Sequence, residues 1–249
     1  MYKSWTIFVG LAAIVAFSAL AEASIQVGDR IRFTDKYGST GGGEFGVHQK
    51  LSASPAGGNA QSGELFRSFC IERNEFIDFS TYGFVVDSIS KSAMNGGFAG
   101  GNPDPISQQT AWLFYNFTKG TLAGYSYAGG AAQIASANQL QNAIWFLEQE
   151  ISLSNAQQAA NAFLVAANAA SVAELQAAYA RTFVLNIKWA TDRSGLDGVY
   201  EHNGSWSAPG AGDNGQSQLY VIPEPGTVLV WSALSLLGLG VYRRFLKLS

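Results

Sequence analysis

The sequence predicts an α+β domain in which short strands come first, a helical region follows and strands return at the C-terminal end. Three observations predict this order. Alternating apolar residues broken by glycine fill the first part, capped and alanine-rich segments fill the middle, and alternation returns after Arg181. With 16 Phe, 10 Tyr and 6 Trp and only 13% charged residues, the chain has enough apolar surface to bury in a folded core.

The first part of the domain contains the predicted short strands. Four segments have the alternating pattern of half-buried strands: 25–27, 31–34, 65–72 and 82–86. Within the third segment, alternation places Phe69 on one face and Cys70 on the other. The glycine-rich segment 38–43 predicts a loop between strands.

The middle of the chain predicts helices, and their caps mark where they begin. Ser107 caps a helix that runs to about Thr118, and apolar residues on nearly all sides of this helix predict that it is buried. A second helix is predicted from Ile134 to Glu150. Two further alanine-rich helices begin with the spacing of a capping box, at Ser154 with Gln157 and at Ser171 with Glu174.

Strands are predicted again towards the end of the domain. Residues 182–189 return to a strand pattern, and residues 218–222 do so after a stretch rich in Gly, Asn and Ser. We therefore place the α+β domain at residues 24–202 and interpret residues 203–222 as a linker that holds a last strand.

The N-terminal residues 1–23 have the pattern of a secretory signal peptide. Lys3 precedes an apolar run from Ile7 to Leu20, which ends at the small residues Ala21 and Ala23 of an A-x-A cleavage pattern. A permanent membrane span is the alternative, but the apolar run is short and ends at a processing site. We expect the mature chain to begin near Ser24 and the protein to be exported.

The C-terminal residues 223–249 contain three parts in a fixed order. Pro223, Glu224 and Pro225 come first, 17 uncharged residues follow, and a basic tail with Arg243 and Arg244 ends the chain. The uncharged stretch is long enough to predict a transmembrane helix, and the basic residues predict that its end stays in the cytoplasm.

This tail resembles the PEP-CTERM sorting signal of Gram-negative bacteria that produce exopolysaccharide. The resemblance implies processing near Pro223-Glu224-Pro225 by exosortase, a membrane protease. It also implies that the protein is anchored in the inner membrane before processing and then reaches the cell surface or the extracellular matrix. An anchor that is never cleaved is the alternative.

Charge and residue counts exclude several kinds of function. A net charge of −3 provides no cationic surface for phosphate groups, so we expect no nucleic-acid partner. With one Cys and two His the chain lacks a ligand set rich in these residues, and we predict no metal and no cofactor. The segment 102–105 lacks the ladder of Asp residues of a calcium loop and predicts a turn before the Ser107 helix.

Cys70 and Gln141 are the two residues that the predicted fold does not explain. Cys70 is the lone cysteine of an exported chain and lies in the middle of a predicted core strand. On a helical period Gln141 shares an otherwise apolar stripe with Ile134, Ala137, Ile144 and Trp145. A buried amide needs hydrogen-bond partners, so a core glutamine with satisfied hydrogen bonds is the plain interpretation.

Two motifs around these residues resemble the thioester domain of bacterial surface adhesins. Phe69-Cys70-Ile71 matches the strand motif, and the segment 141–145 matches the Q-x-A-I-W motif on a helix. The aromatic helix over 110–117 is similar to the one between the two motifs in that family. The resemblance covers about residues 65–150, and the chain departs from the pattern at Leu140, where a threonine often precedes the Gln.

The resemblance implies an internal thioester between Cys70 and Gln141, shielded from water by Phe69, Trp112 and Trp145. A nucleophile on a surface target would open this bond and stay covalently attached. Because the reaction occurs once per molecule, the sequence predicts an adhesin and not an enzyme. The alternative is a structural or polysaccharide-associated matrix protein without a reactive bond, with aromatics such as Trp206 against sugars. A secreted hydrolase is disfavoured, because no acid, base and nucleophile set can be assembled.

Overall fold

The computed structural model describes residues 25–38, 42–49, 63–75, 77, 79, 83–94, 97–190, 200–202, 205–207 and 214–222. Ile25–Val221 form one compact unit. The predicted signal peptide and sorting signal lie outside the described residues, together with Ala21, Ala23, Pro223, Glu224, Pro225, Arg243 and Arg244. Among the helices that the structure describes, none has the length and apolar character to cross a membrane.

The main sheet has six strands, and all its neighbouring pairs are antiparallel. Its order is β10-β7-β4-β1-β2-β3, where the strands are β1 (Arg30–Tyr37), β2 (Glu44–Gln49), β3 (Phe66–Ser68), β4 (Phe84–Ser90), β7 (Thr182–Trp189) and β10 (Asn214–Val221). Two short pairs accompany it, β5 (Ser92–Ala93) with β6 (Asp104–Pro105), and β8 (Tyr200–His202) with β9 (Ser205–Ser207).

The chain beyond β3 closes the sheet on itself. Cys70 forms an antiparallel bridge with Gln218 of β10. On either side of this bridge the Ile71 N–H donates to Ser217 and the Leu219 N–H donates to Phe69, both at 3.0 Å. The two edges of the sheet therefore meet at Cys70, and the bridge fixes the backbone of this residue from one side.

The described residues form five helices where the sequence predicts four, because the third predicted helix is divided at Asn161. They are α1 (Gln108–Thr118), α2 (Gly130–Leu147), α3 (Asn155–Ala160), α4 (Ala162–Ala169) and α5 (Val172–Arg181). The Ser107 cap and the capping boxes at Ser154 and Ser171 are confirmed. The second helix ends before the predicted Glu150, because Gln149 takes a left-handed conformation with φ of 65°.

Two clusters of buried side chains form the core. The helix-side cluster lies under the helices and includes Phe69, Ile71, Leu113, Phe114, Ala137, Ile144 and Phe163. The sheet-side cluster includes Ile31, Phe33, Cys70, Phe84, Trp145, Leu185, Ile187 and Tyr220. Neighbours along the strand alternate between the clusters, which confirms the predicted opposite faces of Phe69 and Cys70.

The α+β fold is confirmed, but its strands differ from the prediction in several places. No strand was predicted for β2, and Asp104–Pro105 of the predicted turn forms β6. Residues 25–27 form no strand, because the Gln26 N–H donates to the Asp29 side chain at 2.8 Å and the segment turns. The last strand begins at Asn214, earlier than the predicted 218, and pairs with β7 with a register shift between Gly215 and Gln218. The Gly and Ser residues at its start gave no strand signal, since strand propensity depends on packing.

Candidate functional site

The side chain of Gln141 reaches from α2 to the strand that carries Cys70. Gln141 is only 2% exposed. Its Oε1 accepts hydrogen bonds from the N–H groups of Cys70 and Gly43, both at 3.1 Å, and its Nε2 donates to the Cys70 carbonyl at 2.8 Å. The amide therefore continues the ladder between β2 and β3, whose last backbone pair is Phe45 with Ser68.

Two glycines before β2 allow this close approach. A Cβ at Gly42 would lie 2.7 Å from Gln141 Cγ and 2.5 Å from the Trp145 ring, so a larger residue would push both away. Gly43 has φ of 136°, which other residues rarely adopt. The sequence predicts only a loop for this segment. The run of glycines was the signal, but it does not show which side chain the backbone approaches.

A buried charge network holds the start of β2 against α2. The Glu44 carboxylate, fully buried, accepts hydrogen bonds from Arg67 at 2.6 Å and Gln133 at 2.7 Å, and also from the Tyr125 hydroxyl. Because Glu44 follows Gly43 directly, these contacts also fix the second N–H donor to Gln141. No motif in the sequence predicts this network.

The Gln133 contact also explains a difference within the predicted helical stripe. Ala137, Ile144 and Trp145 are buried beside Gln141 as expected, but Ile134 is 38% exposed. Gln133 takes the inward position in that turn, where it reaches Glu44.

The thiol of Cys70 is fully buried in the sheet-side cluster. Burial raises the pKa of Cys70, and the hydrogen bond from Gln218 Nε2 to Sγ, at 3.5 Å, acts in the opposite direction. The thiol is therefore protonated at neutral pH and is protected from reagents in solution.

The three predicted shielding residues divide between the two clusters. Trp145 is 6% exposed and packs in the sheet-side cluster with Cys70. Phe69 belongs to the helix-side cluster and Trp112 packs against that cluster. The structure thus brings Trp145 to the thiol side of the strand and places Phe69 and Trp112 on the other side, as strand alternation requires.

A cavity of about 390 Å³ lies beside two residues that contact Gln141, and Gln141 itself is not among its lining residues. Gly42 and Trp145, which both approach Gln141, form part of its wall. The rest of the lining mixes aromatic, acidic and basic groups and includes Asp35, Phe45, Arg73, Glu75 and Phe79. A ligand in this cavity would lie against the residues that cover the amide.

Comparisons with protein-family models, with curated protein sequences and with solved structures found no match.

Proposed function

We propose that this chain is an exported surface or matrix protein that bonds covalently to its target through a thioester between Cys70 and Gln141. The observation that carries the proposal is the pair of backbone N–H groups, from Cys70 and Gly43, at Gln141 Oε1. Export and sorting through a PEP-CTERM tail are part of the proposal and rest on the sequence of the two termini.

The two N–H donors favour attack on the amide carbon. When the Cys70 sulfur attacks Gln141 Cδ, negative charge develops on Oε1, and two fixed donors in a buried site stabilise it. The C–S bond forms, the C–N bond breaks, and the nitrogen leaves as ammonia with the proton of the thiol. The hydrogen bonds between the Gln141 amide and the Cys70 backbone hold the two residues together, which replaces a collision between separate molecules.

The same donors serve the opening of the thioester. An amine on the target attacks Cδ, the C–S bond breaks, and the sulfur takes the proton of the amine as a thiol. The cavity beside Gly42 and Trp145 would bring the amine close to Gln141, and its carboxylates Asp35 and Glu75 attract cationic amines. Trp145 on the cavity wall limits the access of water.

The intact mass of the purified mature chain tests this proposal. We expect a mass one ammonia below the sequence mass, and we expect Cys70→Ala to restore the full mass. Gln139→Ala changes the neighbouring glutamine on the same helix and should retain the deficit. Methylamine should add covalently to the wild type and not to Cys70→Ala. A full wild-type mass, with one thiol that titrates after denaturation, would refute the thioester.

The second candidate is a structural matrix protein with no reactive bond. It is favoured by the three hydrogen bonds of the Gln141 amide, which suit a core glutamine that joins helix and sheet. It is also favoured by the contact of the Cys70 sulfur with Gln218. The mass experiment separates the two candidates, because only the thioester loses ammonia.

A further inference from the structure

Four buried carboxyl groups lie near the residues that follow Cys70 on the strand and Gln141 on the helix. Their exposed fractions are at most 5%, and the residues are Glu72, Asp104, Glu148 and Glu150. Glu72 comes two residues after Cys70, and Glu150 comes just after the end of α2. Buried charges of one sign are costly unless something compensates for them.

Two members of this group have hydrogen bonds from the chain itself. Glu150 accepts from the N–H groups of Arg73 and Phe98, both at 2.8 Å. Glu148 accepts from the Ser107 N–H at 3.1 Å and from its hydroxyl at 2.7 Å. These two carboxylates therefore have hydrogen-bond partners within the chain.

Glu72 differs from them. Its residue surface is completely buried, and among the described residues neither Oε1 nor Oε2 has a hydrogen-bond partner. Burial and the neighbouring Glu150, Glu75, Asp104 and Glu148 raise the pKa of Glu72 to about 9. Such an orphaned group calls for an explanation, because a buried acceptor without a partner destabilises the fold.

The orphaned carboxylate and Glu150 both lie beside Gly97. A Cβ at Gly97 would lie 2.1 Å from Glu72 Oε2 and 2.0 Å from Glu150 Oε1, so the two oxygens converge on one point beside this glycine. The nearby Arg73 does not neutralise them by pairing, since its guanidinium lies over the Trp145 ring at 5.9 Å.

A shared proton and a bound cation would satisfy different numbers of the Glu72 and Glu150 oxygens. A proton shared between Glu72 Oε2 and Glu150 Oε1 would leave Glu72 Oε1 buried without a partner. A hard cation held by both oxygens of Glu72 and by one of Glu150 would satisfy all three, and Ca²⁺ accepts such bidentate carboxylates.

We propose that Glu72 and Glu150 bind a divalent cation of the Ca²⁺ class. Within the described ranges no group of three or more His, Cys, Asp or Glu is arranged to hold a metal ion. The proposed site therefore has two carboxylates, and backbone carbonyls and water complete its shell. It differs from the expectation of a metal-free protein, which considered only ligand-rich motifs. It ties the strand of Cys70 to the end of the Gln141 helix, and it does not depend on the thioester.

Thermal unfolding of the full chain tests the site. After treatment with a chelator, CaCl₂ should raise the melting temperature of the wild type until the site is saturated. A shift of roughly 5–10 °C is expected once the Ca²⁺ concentration is a hundred times the Kd. Cys70→Ala should show the same shift, which separates this proposal from the thioester.

Glu72→Gln and Glu150→Gln should each abolish most of the shift. Glu72→Gln removes a repelling charge without changing the shape of the side chain, so it should still fold. Glu174→Gln is the matched control, because Glu174 lies on the exposed cap of α5, and it should retain the full shift. No saturable shift in the wild type, or an equal shift in Glu72→Gln, would overturn the proposal. Stabilisation by acid together with no shift in CaCl₂ would identify a shared proton instead.

Discussion

The Gln141 amide and the Glu72 carboxylate are equally buried, at 2% and 0% exposed, and both lie beside the strand end that carries Cys70. The amide has three hydrogen bonds. The carboxylate has none within the described part of the chain. The backbone around Gln141 therefore satisfies its amide, while the Glu72 carboxylate needs a proton or a cation from outside.

The two sites also join helix and sheet in different ways. At Gln141 the helix contributes one side chain, and neutral backbone groups of two strands receive it. At Glu72 and Glu150 the two segments contribute like charges, so their contact becomes favourable only when a positive charge joins them. Removing the polar or charged group should therefore lower the free energy of unfolding at Gln141 and raise it at Glu72.

Gln141→Ala should have the largest effect. The change leaves the N–H groups of Cys70 and Gly43 and the Cys70 carbonyl without partners, and it opens a small cavity. We expect a loss of about 3–5 kcal/mol in the free energy of unfolding. Chemical denaturation should be carried out in a Cys70→Ala background, so that a cross-link does not contribute.

Gln139→Ala is the control for this loss. Gln139 lies on the same helix, and its side chain makes one hydrogen bond, at 3.3 Å, to the Ala160 carbonyl. It should change stability by less than about 1 kcal/mol. A similar small loss for Gln141→Ala would mean that water or a neighbouring group replaces the amide, and the contrast between the sites would disappear.

Much of the fold could be predicted from the sequence, because local signals agree with it. Ser107, Ser154 and Ser171 marked three helix starts, and alternation marked β7 along its whole length. The closure of the sheet at Cys70 and Gln218 could not be predicted, since these residues are far apart in sequence and their strands are short. Pairing across such a distance leaves no periodic pattern.

The candidate site was predicted in part. Cys70 and Gln141 follow from motifs, and the structure brings the Gln141 side chain into contact with the Cys70 backbone. The Gly43 N–H could not be predicted, because every residue other than proline has such a donor and only the fold aims it. The convergence of Glu72 and Glu150 was also hidden, as neither residue belongs to a spaced ligand motif.

Gly97→Ala should have an intermediate effect on stability. It should disturb the Glu72 carboxylate and leave the Gln141 amide unchanged. Its Cβ would fall within 2.1 Å of both converging oxygens, which must then separate. We expect a loss of about 1–3 kcal/mol in unfolding free energy and a weaker response to CaCl₂. Gly63→Ala is the matched control, because its Cβ would meet nothing within 4 Å. Equal effects of the two changes would show that the approach of the Glu72 and Glu150 oxygens at Gly97 does not contribute to stability.

Glu72→Gln should have the smallest effect and the opposite sign. In chelator the amide is neutral without taking up a proton on folding, as Glu72 must, and it can donate to Glu150, so we expect a gain of about 1 kcal/mol in unfolding free energy near neutral pH. Because the folded state raises the pKa of Glu72 to about 9, the wild type loses stability as pH rises from the ordinary glutamate value through about 9. The gain should therefore increase with pH.

Gln141→Glu, the reverse exchange at the other site, should lose stability, since it removes the donor to the Cys70 carbonyl. If Glu72→Gln also destabilised the metal-free chain, the Glu72 carboxylate would have a partner of its own, and the two sites would not differ in kind.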